Sequence, residues 1–300
     1  MKKFFLLATL VLFFTQAFSQ AVQRNLVVVE IATGTWCTWC PGAANGAHDL
    51  LANGKQVAII KNHNGDPYAN SYSNARNTYY GITGYPTGYF DGTLNYAGGG
   101  QCPNGNVYNN YLPLYDQRYA VLSPLILDIS GSNSGNTYTI VLSIKKVANL
   151  TSSDLKAHLV LTESNISTPP WPGSGGCMTE VDNVNRLMVP NELGTPLSFT
   201  SGDMQIIALS FNKDAAWVTA NCELVAFVQD AGTKEILNAS KVTLTGLPAP
   251  MTVDFSGTPT SGCAPLTTNY SDLSAGATNW QWSFQGGNPS SSSSQNPTVS

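Results

Sequence analysis

Two cysteines with two residues between them, Cys37 and Cys40, are the residues in this 300-residue sequence best spaced for chemistry. They follow an apolar run, Val27-Val28-Val29-Glu30-Ile31, through a short turn that contains Gly34. Beyond them, small and apolar residues recur at Ala43, Ala44, Ala47, Leu50 and Leu51, which is helical spacing. The pair therefore stands at the head of a helix, where unpaired N–H groups and partial positive charge favour a thiolate. Cysteines so placed have pKa values of roughly 3.5–7.5, against about 8.5 for a free thiol. The spacing lets the second sulfur attack a mixed disulfide made by the first. The chemistry is thiol–disulfide exchange, with Cys37 the exposed nucleophile and Cys40 the resolving thiol. A structural disulfide and half of a zinc site are the other uses of such a pair. Zinc needs two further ligands. The sequence has no second C-x-x-C, and its histidines, His48, His63 and His158, stand far apart. No metal and no bound cofactor are expected.

Neighbouring residues add to this chemistry. A carboxylate buried at Glu30 would have a raised pKa and could take the proton of Cys40; at a strand edge it would face solvent. Trp36 and Trp39 flank the thiols as an apolar docking patch, or pack around the helix start. His63 falls in turn chemistry, Asn62 to Pro67, and reads as a solvated loop residue. Other catalytic signatures are missing. There is no G-x-S-x-G elbow and no H-E-x-x-H, and Gly98-Gly99-Gly100 is not followed by the Lys-Ser or Lys-Thr of a phosphate loop.

The elements that must hold the pair follow from periodicity. Leu26 to Ile31 reads as a strand buried on both faces. The helix after Cys40 ends at Gly54. Val57 to Ile60 is a second strand, Tyr68 to Tyr80 a second helix, and Asn106 to Leu122 a closing helix that Pro124 ends. This order argues an α/β sheet with a parallel pair. From Leu125 the period changes to two. Alternation at Tyr138–Ile144, Ala157–Leu161, Ile207–Phe211 and Cys222–Val228, with a last strand at Ile236–Leu244, argues an antiparallel β-sandwich. Residues 165–182, rich in Pro and Gly, form a long loop on it.

Composition and the N-terminus set the compartment. The net charge is −4, which offers no basic footprint for nucleic acid. Lys2 and Lys3 precede an apolar run from Phe4 to Phe14, and Ala17-Phe18-Ser19 has the small-x-small form of a cleavage site. Residues 1–19 are a signal peptide, and the run is shorter than the ~20 residues a membrane span needs. No cysteine stands near residue 20, so no lipoprotein anchor is expected, and no transmembrane helix follows. The mature protein is expected in the periplasm, on the outer membrane or outside the cell. Export puts six cysteines in an oxidising compartment. Outside the motif, Cys177 with Cys222 is the expected structural disulfide, and Cys102 with Cys177 its rival; Cys263 is left over.

Trp36-Cys37-Thr38-Trp39-Cys40 after a strand, then Gly81-Ile82-Thr83-Gly84-Tyr85-Pro86-Thr87 before a strand ending in Asp91-Gly92, resembles the thioredoxin superfamily. Within it, Thr33-Gly34-Thr35-Trp36-Cys37-Thr38-Trp39-Cys40-Pro41 and His63-Asn64-Gly65-Asp66-Pro67 resemble an exported bacterial family related to outer-membrane protein 28. The resemblance covers residues 22 to about 120. Pro86, directly before a strand, is a candidate cis proline that would wall a polypeptide substrate paired to the backbone of Tyr85; the other reading is an ordinary turn proline. The resemblance implies an acidic residue on the strand before the cysteines, which Glu30 supplies. The family carries a β domain behind the thioredoxin-like one. Gly246 to Pro250 reads as a linker. After it, Asp254-Phe255-Ser256, Asn269-Tyr270-Ser271-Asp272 and Trp280-Gln281-Trp282-Ser283-Phe284 resemble the first part of a PKD domain, an Ig-like β fold.

The expected chain is thus an α/β thioredoxin-like domain at 22–121, an antiparallel β-sandwich domain at 122–246, a linker at 247–250 and a truncated PKD-like β domain at 251–300, part of a longer protein. The expected function is that of an exported thiol–disulfide oxidoreductase. Its partners are protein disulfide or dithiol clients and a redox partner of unknown identity. The alternative is an envelope surface or adhesive protein, in which the thioredoxin-like fold is a scaffold and the β domains bind partners.

Overall fold

The computed structural model describes residues 20–300 apart from 153, 252 and 278. The expected signal peptide lies outside the described residues. The fold is mostly β, with three α-helices and five sheets among the described residues.

The first strand, β1 (Val27–Thr33), is buried along its whole length, as its β-branched run requires. Helix α1 (Cys40–Ala52) follows, then β2 (Val57–His63), parallel to β1 in the register Val27↔Val57 to Thr33↔His63. Helix α2 (Ser71–Tyr79) begins in a capping box, with Asn70 and Ser73 each satisfying the other's backbone N–H. Strands β3 (Thr87–Phe90) and β4 (Leu94–Ala97) make a hairpin, and β3 runs antiparallel to β1. Helix α3 (Tyr108–Tyr119) closes this half.

The second half is built of strands. β5 (Leu125–Ser134), β6 (Thr137–Lys146) and β7 (Leu155–Glu163) come first. The short β8 (Ile166–Ser167) and β9 (Glu180–Val181) form a hairpin. Then come β10 (Val184–Val189), β11 (Thr195–Leu197), β12 (Met204–Asn212), β13 (Cys222–Asp230) and β14 (Ile236–Thr243).

The two expected units share one sheet. Its order is β14-β13-β7-β10-β2-β1-β3-β4, with β11 at the side of β7. The joint is β10, which lies parallel to β2 with Val184 opposite Lys61. Asn185 reinforces it, donating to Asn62 Oδ1 at 2.8 Å and accepting from Asn70 Nδ2 through its carbonyl at 2.6 Å. One face of this sheet carries α1 and α3 over β1 and β2, through Val27, Val29, Ile31, Ala43, Ala47, Leu50 and Tyr111. The same face carries the β12-β6-β5 sheet over β7 and β13, through residues such as Leu127, Ile140, Leu159 and Leu224. The antiparallel β12-β6-β5 sheet thus faces β7 and β13, whose own sheet runs on into the first half as a mixed sheet. The opposite face buries Val28, Ile60, Val160, Met188, Val225 and Phe227, with Tyr72 of α2 against them.

A second joint is electrostatic. Asp91, just after β3, has φ +46° and is fully buried. Its carboxylate accepts from Val28 N at 2.9 Å, pairs with Arg24 at 2.9 Å and meets Arg118 of α3 at 3.2 Å. Its backbone carbonyl accepts from Ile236 N at the start of β14, 2.9 Å away. Asp91 therefore ties the N-terminal segment, α3 and the edge strand of the second half. Burial raises its pKa, and the two arginines and the Val28 N–H oppose that rise.

The C-terminal segment contributes β15 (Phe255–Thr258), β16 (Thr268–Asp272), β17 (Trp282–Ser283), β18 (Ser291–Ser292) and β19 (Thr298–Val299). They form a β15-β16-β19 sheet and a β17-β18 pair. Phe255, Tyr270, Trp282 and Phe284 cluster across them, with ring centroids 5.1 to 6.1 Å apart.

Removing one partner from a buried ion cluster strands the rest. Asp91→Ala should cost about 3–5 kcal/mol. It should lower the urea midpoint equally for a probe in each half, because one sheet joins them; separate midpoints would count against that coupling.

Candidate functional site

Cys37 and Cys40 form a disulfide with Cα atoms 5.4 Å apart. Cys40 is the first residue of α1, and Pro41 stands at the helix start, where its missing N–H costs nothing. Cys37 lies in the turn before, its N–H bonded to Gly34 O at 3.1 Å. Either sulfur, once reduced, would feel the positive end of α1.

The expected neighbours take distinct places. The Tyr85–Pro86 peptide is cis, and Tyr85 O lies 3.5 Å from Cys37 Sγ. Trp36 is 44% exposed, donates to Asn64 O at 2.6 Å and stands edge-on to Tyr85 at 5.5 Å. Trp39 is 54% exposed. It lines a shallow groove of about 460 Å³ with Tyr85, Pro86, Tyr96, Gly98 and Gly99. The structure thus brings Trp36, Trp39, Tyr85 and Pro86 to one side of the disulfide.

Glu30 is placed elsewhere, and its expected role is corrected. Side chains alternate along β1. Val29 and Ile31 face α1, so Glu30 faces the opposite side, toward α2. There it pairs with Arg76, through Nε at 2.8 Å and through Nη2. Tyr80 donates to it at 2.7 Å and Asn62 at 3.2 Å. Gln229 of β13 completes the cluster, accepting from Arg76 at 3.0 Å. Burial would push the Glu30 carboxyl up, but Arg76 and these hydrogen bonds hold it below the usual carboxylate range. Paired with Arg76 on the face opposite α1, Glu30 is not placed to act as a base for Cys40.

His63, expected in solvent, is fully buried. It pairs through Nδ1 with Asp66 at 2.7 Å, and Asp66 also accepts from Thr35 N at 2.8 Å. Its ring meets Tyr68 edge-on at 5.4 Å, and Tyr68 packs on the cluster that holds the two cysteines. The His63–Asp66 pair therefore braces the turn leading into Trp36. Desolvation lowers the pKa of His63, against the pull of Asp66.

Cys37 is not exposed. Cys37 is 4% and Cys40 0% accessible. The cover is the strap between β7 and β10, whose tip is carried by the β8–β9 hairpin. Trp171 and Met178 of the strap pack with Cys37, Cys40, Ala44 and Val184. Gly173 donates to Thr35 O at 2.9 Å. A Cβ on Gly173 would come within 2.5 Å of the Trp36 carbonyl, so only glycine permits this approach.

The remaining cysteines correct a second expectation. Cys177 bonds to Cys102, Cα to Cα 6.2 Å, and not to Cys222. Cys177 is on the exposed strap tip, whereas Cys222 opens β13 and points into the sandwich core. Cys222 and Cys263 are free among the described residues. Burial, with Glu163 adding to it, pushes the Cys222 thiol up to about 11, so it is inert at neutral pH.

Sequence reasoning missed the Arg76 cluster, the His63–Asp66 pair and the strap. A lone arginine in the Ser71–Tyr79 helix and an Asp three residues after a strand-end histidine were the available signals. Gly173, Gly175 and Gly176 in the long loop were another.

No protein-family model and no curated protein matches the chain. Among solved structures, HBP35 of Porphyromonas gingivalis is similar over 88% of this chain and 83% of its own, with a TM-score of 0.61 and 16% identity. A domain of the outer membrane lipoprotein Omp28 from the same organism aligns with 43% of this chain and 92% of its own, with a TM-score of 0.30 and 14% identity. The HBP35 likeness is one of fold alone, and the Omp28 likeness carries no argument. Neither supports the PKD expectation for residues 251–300. No helix among the described residues is long and apolar enough to cross a membrane.

Two predictions test these placements. Glu30→Gln should destabilise the protein by about 3–5 kcal/mol, because Arg76 loses its charge partner in the interior. It should leave the rate at which Cys37–Cys40 exchanges with excess dithiol within about twofold; a large loss would restore Glu30 to the chemistry. Second, His63 and the buried His158 have native pKa values below that of a free imidazole. The unfolded chain takes up protons near pH 6.5 that the native state refuses. Stability is therefore full above that pH and falls below it, by up to about 1.4 kcal/mol per pH unit for each histidine. Urea midpoints should hold above pH 7.5 and fall between pH 6.5 and 5, with a shallower fall in His158→Phe.

Proposed function

We propose that the chain is an exported thiol–disulfide oxidoreductase acting on polypeptide disulfides through Cys37-Thr38-Trp39-Cys40. The observation that carries this reading is the placement of the pair. A disulfide at the N-terminus of α1 has its Cys37 sulfur 3.5 Å from the backbone of Tyr85, beside a groove lined by Trp39, Tyr85 and Pro86. The order β1-α1-β2-α2-β3-β4-α3, with a parallel and an antiparallel neighbour for β1, supports a thioredoxin-like unit. Export is supported by the leader-like N-terminus and by the use of cysteine as disulfide.

In the reducing direction, the Cys37 thiolate attacks a client disulfide and expels one client thiolate. The Cys40 thiol then loses its proton, attacks Cys37 Sγ and expels the second. The client leaves with two thiols and Cys37–Cys40 is oxidised; the reverse sequence oxidises a client dithiol. The dipole of α1 stabilises the thiolate in both directions. Client backbone lies along Tyr85, and Trp36 and Trp39 offer apolar contact.

A second reading has its own support. Both sulfurs are nearly sealed from solvent, and Phe255 stands exposed beside a half-buried Trp282. These features suit an envelope surface protein in which the disulfide is static and the β elements bind partners.

The reduction potential separates the two. A Cys37–Cys40 potential between roughly −120 and −270 mV in graded glutathione buffers, read by alkylation and mass, is the expected result. Cys40→Ser should then trap a mixed disulfide on Cys37. A potential below about −300 mV would mark a structural bridge and move the function to the β elements.

A further inference from the structure

The two disulfides are arranged inside out. The pair with the redox spacing is buried, while the other is reachable from solvent. Cys177 is exposed on the strap tip and Cys102 is half-buried on the opposing loop. That loop is pinned to the motif by its backbone: Gly100 N donates to Trp39 O at 2.9 Å, and Gly42 N donates to Gly100 O at 2.8 Å. The strap reaches the motif from the other side, through Gly173 on Thr35 and through Trp171 and Met178 on the cysteines. Cys102–Cys177 joins loop to strap across 75 residues of chain and closes a clasp over Cys37–Cys40.

We propose that Cys102–Cys177 is a second thiol-exchange site, whose substrate is an external dithiol, and that its reduction opens the strap over Cys37–Cys40. The gating role rests on the oxidoreductase reading; the order of reduction does not. In the opening step, one thiolate of the external dithiol attacks Cys177 Sγ and Cys102 leaves as a thiolate. The second thiol of the reductant then closes its own disulfide and expels Cys177. Two electrons and two protons pass to the protein, and the reductant ends as a disulfide.

With that bond open, the strap is held to the motif, among the described residues, by the Gly173 to Thr35 backbone hydrogen bond and by the apolar contacts of Trp171, Met178 and Val181, with no covalent tie. The indole N–H of Trp171 is buried with no partner among the described residues, so the closed strap holds a polar group that would gain one on opening. The tip itself stays a hairpin through Thr168 N to Thr179 O and Trp171 N to Met178 O, both at 2.9 Å. It can therefore lift as a unit and uncover Cys37 beside Tyr85.

The test follows the order in which cysteines become alkylatable in the full chain. A phosphine reductant in excess drives both bonds to completion, so the result does not depend on the Cys37–Cys40 potential. Peptide mass mapping of time points should show Cys102 and Cys177 labelled first, with Cys37 and Cys40 at least tenfold slower. In Cys102→Ser/Cys177→Ser, Cys37–Cys40 should be reduced at least tenfold faster than in the parent. Gly173→Ala, which keeps both disulfides and only crowds the strap off Trp36, should speed it as well. Reduction of Cys37–Cys40 first, or equal rates in parent and variants, would overturn the clasp. A structural bridge by the potential test with outer-first order would instead overturn only the oxidoreductase reading.

Discussion

The buried pair of Glu30 and Arg76 is the interaction on which the layout most depends. Taking both charges out of water costs several kcal/mol per ion, and only good geometry with further hydrogen bonds offsets that. Here the cluster is closed by Tyr80, Asn62 and Gln229, drawn from the end of α2, from β2 and from β13. The pair thereby fixes α2 over strands of both halves, on the face away from the cysteines. Such a cluster punishes misregister: a one-residue slip of β1 would turn Glu30 to the α1 face and leave Arg76 alone.

The two faces of the shared sheet divide the labour. One bears the charged cluster and α2. The other bears α1, the disulfide and the strap. On that second face the motif is braced from beneath by the His63–Asp66 pair and covered from above by Trp171. The turn from Thr33 to Cys40 is therefore held at Thr35 from two directions, by Asp66 on its N–H and by Gly173 on its carbonyl. Groups held this way present one geometry, which exchange chemistry favours.

Much of this was legible in the sequence, for physical reasons. Cys37 and Cys40 at a helix head followed from spacing alone, and strands at Tyr138–Ile144 and Cys222–Val228 from strict alternation. Glu30 was misplaced because alternation says that it opposes Val29 and Ile31 but not which face α1 will choose. His63 was misread because Asn, Gly, Asp and Pro beside it look like turn chemistry, while β2 in fact runs on to it. β10 was hidden because Asn185 and Arg186 interrupt its apolar residues; Asn185 reinforces the joint to β2, while Arg186 pairs with Glu163 of β7. Four cysteines outside the motif allow three pairings, and no local signal chooses among them.

The joint at β10 has a consequence for how the chain comes into being. Asn62 and Asn185 meet across 123 positions. Chains are synthesised N-terminus first, so β1, α1 and β2 exist well before the strand that covers the β2 edge. An uncovered edge with unpaired backbone groups is a template for wrong partners. The strap is made just before β10, so the motif is also bare in that interval. The Cys37–Cys40 bond is thus open to any passing thiol or oxidant in the nascent chain and enclosed in the finished one. Its redox state at the moment of closure is set by the compartment in which the chain folds.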